Sequence, residues 1–480
     1  MVTVIEKIAH HVSSNSVASP LALLRASQAV TDTIGCMLAG AGDGATRSVA
    51  NTFCSNVGEN GTSTVVRRRH ATASVAALVN GTAAHSLDFD DNFHPARAHA
   101  SAVLVPALLS IATANAEISG MQFLHAYLMG LEAQAAVGFG VNPSHYNKGW
   151  HGTSTVGCVG AAAGVASLLG LGADGIAQAM SIATSLASGP KGQFGTAVKP
   201  LHAGMAARNA VEAALLARAG MAGRLDILER PQGFLDLAGG DAARGWDELA
   251  FDDSHIIETR GLVTKRHPCC ASTHRAIDAM LDLRNQFGFT ANDVVGIETK
   301  VGISAADNLA YPEPTDPMQA RFSMQYCLAA AIVQGRLSLS DFTESEIFRP
   351  DIRRHMAKVT MRAYSTTEER GLERLPHKIV VRLADGRLLK AEKLHATGSV
   401  ETPLSDADRR VKFLDCLAWA GLPEKAHLYE ILLNLPDAPA AQRTFDDVLL
   451  HVTEKQPIEM GSCGKNTRNT KTQGIDRPAD

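Results

Sequence analysis

A stretch without charge sets the first constraint on this chain. From residue 152 to 173 there is no Asp, Glu, Lys or Arg, and the run is mostly Gly, Ala, Ser and Thr. It is too weakly apolar to read as a membrane span. It reads instead as a buried helix whose small side chains let neighbouring backbones come close. The same texture extends from about residue 21 to 227. Segments 100–116, 122–137, 158–171, 175–187 and 203–219 are rich in Ala, the best helix former, with apolar residues recurring three and four apart. Gly170-Leu171-Gly172 and Gly189-Pro190 punctuate the joins. Aromatic residues are only 5% of the chain, which leaves small-residue packing as the way to fill this interior. No repeat of about 20–50 residues marks a solenoid.

The pattern changes near Thr259. Segments 294–301, 358–363 and 378–383 are rich in β-branched residues with partial alternation, and 272–286 and 320–334 between them are helical. Asp385-Gly386, between IVVRLA and RLLKAE, signals a hairpin with a type I′ turn. Helical periodicity returns at 406–420 and 424–433. The expected fold is mainly α. A large all-helical domain is built from both chain ends (1–261 and 399–454), and a smaller α+β lid domain spans 262–398. The polar tail, 455–480, is expected to be disordered. At 480 residues the chain exceeds what one ordinary core needs, in keeping with two domains.

Charge excludes a general nucleic-acid binder. The formal net charge is −4, and the one basic run is Arg67-Arg68-Arg69. The 8 cysteines form no CxxC pair, so neither a zinc ribbon nor a dithiol centre is signalled. Residues 1–13 lack the apolar core of a signal peptide, and the expectation is a cytoplasmic protein.

The polar exception in the helical region is His85-Ser-Leu-Asp88-Phe-Asp90-Asp91-Asn92-Phe-His94-Pro-Ala-Arg97-Ala-His99-Ala-Ser101. Placed between two helices, it reads as an acid–base loop in which His or Asp moves a proton and Arg97 holds an anion. The competing reading is an Asx-rich turn capping the helix that begins near His99. Asp90-Asp91 superficially resembles a magnesium DDxxD box, but the fifth position is His94 and no second acidic motif follows; no metal is expected. His151 precedes the small-residue helix, where it caps or meets an anion. Lys199, before Pro200 and His202, stands at the mouth of a helix in an apolar, Gly-rich context. The segment Lys265-Arg266-His267-Pro268-Cys269-Cys270 leads to His274 in the first turn of a further helix. No GxGxxG followed by an acidic residue, no Walker loop and no GxSxG elbow is present.

Together these pieces resemble the MmgE/PrpD family over about residues 5–450. The resemblance rests on DFDDNFHPARAHAS (88–101), GWHGTSTVG (149–157), KPLHAGMAARNAVEAALLA (199–217), HPCCASTHRAID (267–278) and RFSMQY (321–326). It implies a homodimer with a cofactor-free cleft between the domains. The substrate would be a di- or tricarboxylate, with no nucleic-acid or membrane partner. By the same resemblance Asp88, His99 and Lys199 are the expected catalytic residues. Asn92, Arg97, His151, His274 and Tyr326 are the expected substrate-binding residues. Asn92 departs from the Thr that many dehydratase members carry at this position. On that departure the sequence reading leans to a cofactor-independent epimerase of an iminodicarboxylate such as iminodisuccinate. The alternatives are a lyase of the same family, acting on 2-methylcitrate or cis-aconitate, and a non-catalytic helical binding protein.

Overall fold

A computed structural model describes residues 2–14, 17–54, 61–68, 70–240, 242–370 and 375–450. The tail expected to be disordered lies outside the described residues. Helix accounts for 58% and strand for 8%, so the chain is mainly α.

The charge-free run forms the helix Val156–Leu168, of which Val156 to Ala166 are all buried. Around it pack Ala100–Ala112, Gly120–Val141, Gly172–Leu186 and Val198–Arg218. The close approach expected of small residues is plainest where Ala73–His85 crosses Val198–Arg218. A Cβ on Gly204 would sit 2.3 Å from the Leu78 carbonyl oxygen, and one on Gly81 would sit 2.9 Å from the Gly204 Cα. Any larger residue there would force the helices apart. The two helices run antiparallel, so this contact brings the C-terminal His85 of one towards Lys199 in the first turn of the other. That second helix starts at Val198, earlier than its periodicity suggests. Pro200 is tolerated in a first turn because the N–H it lacks would have no intrahelical partner.

One core runs from Val4 to Ile257 and resumes from Phe413 to Leu449. The helix Asp406–Trp419 supplies the return and packs on Pro20–Gly40. A second core runs from Cys269 to Leu389 under a four-stranded sheet. Its strand order is Val359–Ala363, Val294–Val301, His377–Leu383, Leu388–Lys393. The first pair is parallel (Ile297 opposite Val359) and the others antiparallel. The helices Ala271–Phe287 and Met324–Gln334 cover it.

Two local expectations are corrected. Only Gly386 of the Asp385-Gly386 pair takes positive φ, 90°, and its N–H donates to Leu383 O at 3.0 Å. The turn is therefore of type I followed by a left-handed glycine rather than type I′. The single helix expected over 320–334 is two, Pro317–Arg321 and Met324–Gln334. Ser323 interrupts it by accepting the Tyr326 N–H as an N-cap. Among the described residues no helix is long and apolar enough to cross a membrane.

Candidate active site

The loop between Ala73–His85 and Ala100–Ala112 carries two non-glycine residues in the left-handed region, Asp88 (φ 52°) and Arg97 (φ 46°). Each such conformation costs on the order of 1 kcal/mol or more and persists only where the surroundings enforce it. Here the enforcement comes from distant parts of the chain. Lys265 Nζ donates to the Asp88 carbonyl at 2.5 Å, and Lys412 Nζ donates to the Phe89 carbonyl at 2.7 Å. Asn92 and Val263 exchange backbone hydrogen bonds of 3.0 and 2.8 Å. Lys412 also pairs with Asp32 at 2.8 Å, tying the return helix and Pro20–Gly40 to the loop.

Asp88 is buried between two lysines. Lys199 Nζ bonds one carboxylate oxygen, and Lys265 Nζ lies 3.1 Å from the other. Burial alone would raise the Asp88 pKa, but the two ammonium groups overcome it and hold the carboxyl well below its usual range. Burial likewise opposes the charge on Lys265, and Asp88 and Asp90 more than offset it, so its pKa is raised. Lys199 Nζ sits between the faces of Phe194 and Phe322, at 5.4 and 5.2 Å from the ring centres. Phe322 belongs to the second core, so Lys199 stands at the seam between the two.

Beside this triad, Asp90 organises imidazoles. His85 Nδ1 lies 3.0 and 2.9 Å from its two oxygens, and His99 Nδ1 lies 3.1 Å from Oδ2. The His85 and His99 rings are 4.3 Å apart, with His151 at 5.8 and 6.2 Å from them. His151 Nδ1 is 3.2 Å from His202 Nδ1, while the buried Nε2 atoms of His85 and His151 meet no hydrogen-bond partner. Burial depresses all three imidazoles and Lys199 adds to it, outweighing Asp90; His85 falls to about 3. They are neutral at pH 7. One ring nitrogen each from His85, His99 and His151 lies within 4.8 Å of the others, a set that fits a divalent cation in donor type.

The capping reading of the loop fits Asp91. Asp91 accepts the Ser101 N–H at 3.3 Å near the start of Ala100–Ala112, and the Ser101 hydroxyl binds it too. Burial pushes Asp91 up to about 7, and its bonds to Ser101 tie it to the start of that helix.

Of the expected residues, Asp88, Lys199, His99 and His151 come together. Asn92 is half-buried beside them, its side-chain Nδ2 without a partner. Arg97 is exposed, 5.7 Å above the Tyr146 ring, and so stands outside the Asp88 cluster. His274 donates from Nε2 to the Cys269 carbonyl at 3.1 Å and leaves Nδ1 buried without a partner. Tyr326 does not join the cluster. Its ring packs at 5.5 Å on Phe342 in the second core, and its hydroxyl donates to the Asp341 carbonyl. Sequence reasoning passed over His85, Asp90 and Lys265 as individuals, although each sits inside a segment it singled out. Lys412 carried no local signal, because a lysine on an amphipathic helix ordinarily faces water.

The MmgE/PrpD N-terminal domain matches residues 6–246 and the MmgE/PrpD C-terminal domain residues 267–435. The chain is 31% identical over 373 residues to the cis-aconitate decarboxylase of Homo sapiens, covering 75% of this chain and 76% of that protein. It is 31% identical over 350 residues to that of Mus musculus, with 70% of each chain covered. A cis-aconitate decarboxylase of Aspergillus terreus is 27% identical over 350 residues, 68% of this chain and 70% of that protein.

Proposed function

The chain belongs to the MmgE/PrpD family, and from that premise we propose that it is a lyase removing carbon dioxide from cis-aconitate or a closely related polycarboxylate. The observation that carries this reading is the buried Asp88 clamped by Lys199 and Lys265 at the seam between the cores. The names of the similar proteins support decarboxylation over the epimerisation that Asn92 had suggested.

Decarboxylation breaks a C–C bond and leaves an electron pair on carbon. In cis-aconitate that pair spreads through the neighbouring double bond onto a carboxylate. Preorganised cations are worth most at such a developing charge in a site closed to water. Lys199 and Lys265 supply them, and Asp88 holds both nitrogens in place. Lys199 then gives its proton to the allylic carbon, which shifts the double bond and completes an unsaturated diacid. His99 is the partly exposed member of the imidazole group, neutral and held by Asp90. It relays a proton from solvent back to Lys199. Nothing in this scheme calls on a cofactor, and a cytoplasmic homodimer is the assembly we assign to it.

The test is proton NMR of the purified protein with cis-aconitate in deuterated water. Carbon dioxide should be released and one deuteron should enter the new methylene. Iminodisuccinate and 2-methylcitrate belong in parallel tubes. Deuterium exchange into iminodisuccinate without loss of material, or dehydration of methylcitrate, with cis-aconitate untouched, would replace this reading.

A further inference from the structure

Four lysine or arginine side chains are buried among the described residues: Lys199, Lys265, Arg321 and Lys412. Three have carboxylate partners, Asp88 for the first two and Asp32 for Lys412. Arg321 has none within ion-pair distance among the described residues, although it is 3% exposed. Its Nη1 donates to the Pro317 carbonyl at 3.2 Å and its guanidinium lies 5.1 Å over the Phe342 ring. Its Nε is buried and has no hydrogen-bond partner. A buried charge without a counter-ion is expensive, and a guanidinium does not escape by losing its proton. Evolution tolerates such a group where a ligand supplies the missing anion.

The position of Arg321 says which ligand. It ends the short helix Pro317–Arg321 at the break created by Ser323, and its carbonyl accepts the Cys270 N–H at 2.9 Å. The next residue, Phe322, packs against Lys199 Nζ. Burial works against the guanidinium's charge, and Asp43 and then Asp88 oppose it through space. Arg321 therefore stands on the smaller unit's side of the same cluster. Within that cluster Lys199 and Lys265 already share Asp88 and serve the reacting end of the substrate, and the imidazoles are neutral. Among the described residues Arg321 is then the buried cation without a carboxylate partner, the one left for a further carboxylate of the substrate.

We propose that Arg321 binds a non-reacting carboxylate of the substrate and so sets the preference for a tricarboxylate over a dicarboxylate. This rests on the polycarboxylate reading above. Arg321 is a binding residue in it, and the bidentate guanidinium geometry suits a carboxylate better than an ammonium would.

Calorimetry with inert ligands tests the assignment without requiring turnover. Tricarballylate carries all three carboxylates, glutarate lacks the central one, and methylsuccinate lacks a terminal one. Wild-type protein should bind tricarballylate best. Arg321→Gln should weaken tricarballylate and one of the diacids about tenfold or more, as expected for a charge-assisted bond. The other diacid should change less than about twofold, and its missing carboxylate identifies the one Arg321 holds. Arg321→Lys should fall between, and free guanidinium ion should restore part of the affinity of Arg321→Gln, which a merely structural arginine would not allow. Equal weakening of all three ligands, or no weakening, in variants with wild-type circular dichroism would overturn the proposal. Should Arg321→Gln fail to fold, the same ligand comparison in Arg321→Lys decides. If wild-type protein binds none of the three, the polycarboxylate reading itself falls and this inference with it.

Discussion

Asp88 and Asp278 are both buried and both face basic side chains, one at the seam and one inside the smaller unit. Asp278 accepts from His267 Nε2 at 3.0 Å on one oxygen and from the Thr397 N–H at 2.8 Å on the other. Burial works against its charge, but His267 prevails and its pKa drops to about 2. Its partners close the smaller unit, joining the segment that enters it to the one that leaves. Asp88 instead draws its lysines from 111 and 177 residues away, on a backbone in the left-handed region, and beside imidazole nitrogens that no described residue satisfies. A buried polar cluster whose members are all paired holds a fold together. One that leaves buried donors and acceptors open is arranged for something that arrives.

The contrast can be broken most directly at Lys199. Lys199→Ala should lower turnover by about 100-fold or more, as loss of an acid–base group does, with circular dichroism unchanged. His99→Ala should act in the same direction. Wild-type rates in both would remove the reason for treating the two aspartates differently. A second variant asks whether the loop must be held from behind. Replacing Lys412 by Met together with Asp32 by Leu removes a buried ion pair without stranding a charge. It should cut kcat about tenfold through a shifted Asp88–Asp90 backbone while KM stays nearly constant. An unchanged kcat would mean that Lys265 alone suffices to position the loop. Asp278→Asn should do the reverse of Lys199→Ala. Urea denaturation should show a stability loss of about 2 kcal/mol, the cost of losing a buried hydrogen bond to a charged group, with the rate per folded molecule nearly intact.

The smallest expected effect is in the pH dependence of stability. The pKa of His85 is about 3 in the folded chain and about 6.5 when unfolded, and His145 at about 4 behaves alike. As pH falls below 6.5 the unfolded chain gains protons that the folded chain refuses, so stability drops progressively towards the folded values. Asp91 runs the other way. With its folded pKa pushed up to about 7, it keeps a proton that the unfolded chain releases, and it adds stability as pH falls through that range. Asp32 and Asp415, also raised by burial, act with Asp91, but the buried histidines outnumber the three, so the urea midpoint should be lower at pH 5 than at pH 7. His85→Gln should shrink that difference and Asp91→Asn should widen it. A midpoint that is equal or higher at pH 5 would contradict the neutral, buried state of the imidazoles.

Much of the fold was legible in one dimension because helix and strand are written in local periodicity. The small residues of 152–173, the Ala-rich segments and the β-branched runs each declare their element through short-range sterics and burial. The Asp88 to Ser101 loop was legible for a similar reason, since so many ionisable groups in a helical, apolar region are costly unless used. Tyr326 shows the limit. Its place in a motif suggested a ligand contact, but nothing local says whether a tyrosine hydroxyl turns to a cleft or to a carbonyl in its own core. Arg321 and Lys412 show the same limit from the other side, because a lone cation on a helix looks alike in sequence whether it meets water or is buried. The sequence by itself determined which segments become helices and strands and which loop concentrates charge. Only the tertiary structure decided that Lys199 and Lys265 share Asp88, that Asp90 aligns two imidazoles and that Arg321 has no counter-ion among the described residues. Pairing of charges depends on distances between residues far apart in the chain, and those distances exist only once the cores have packed.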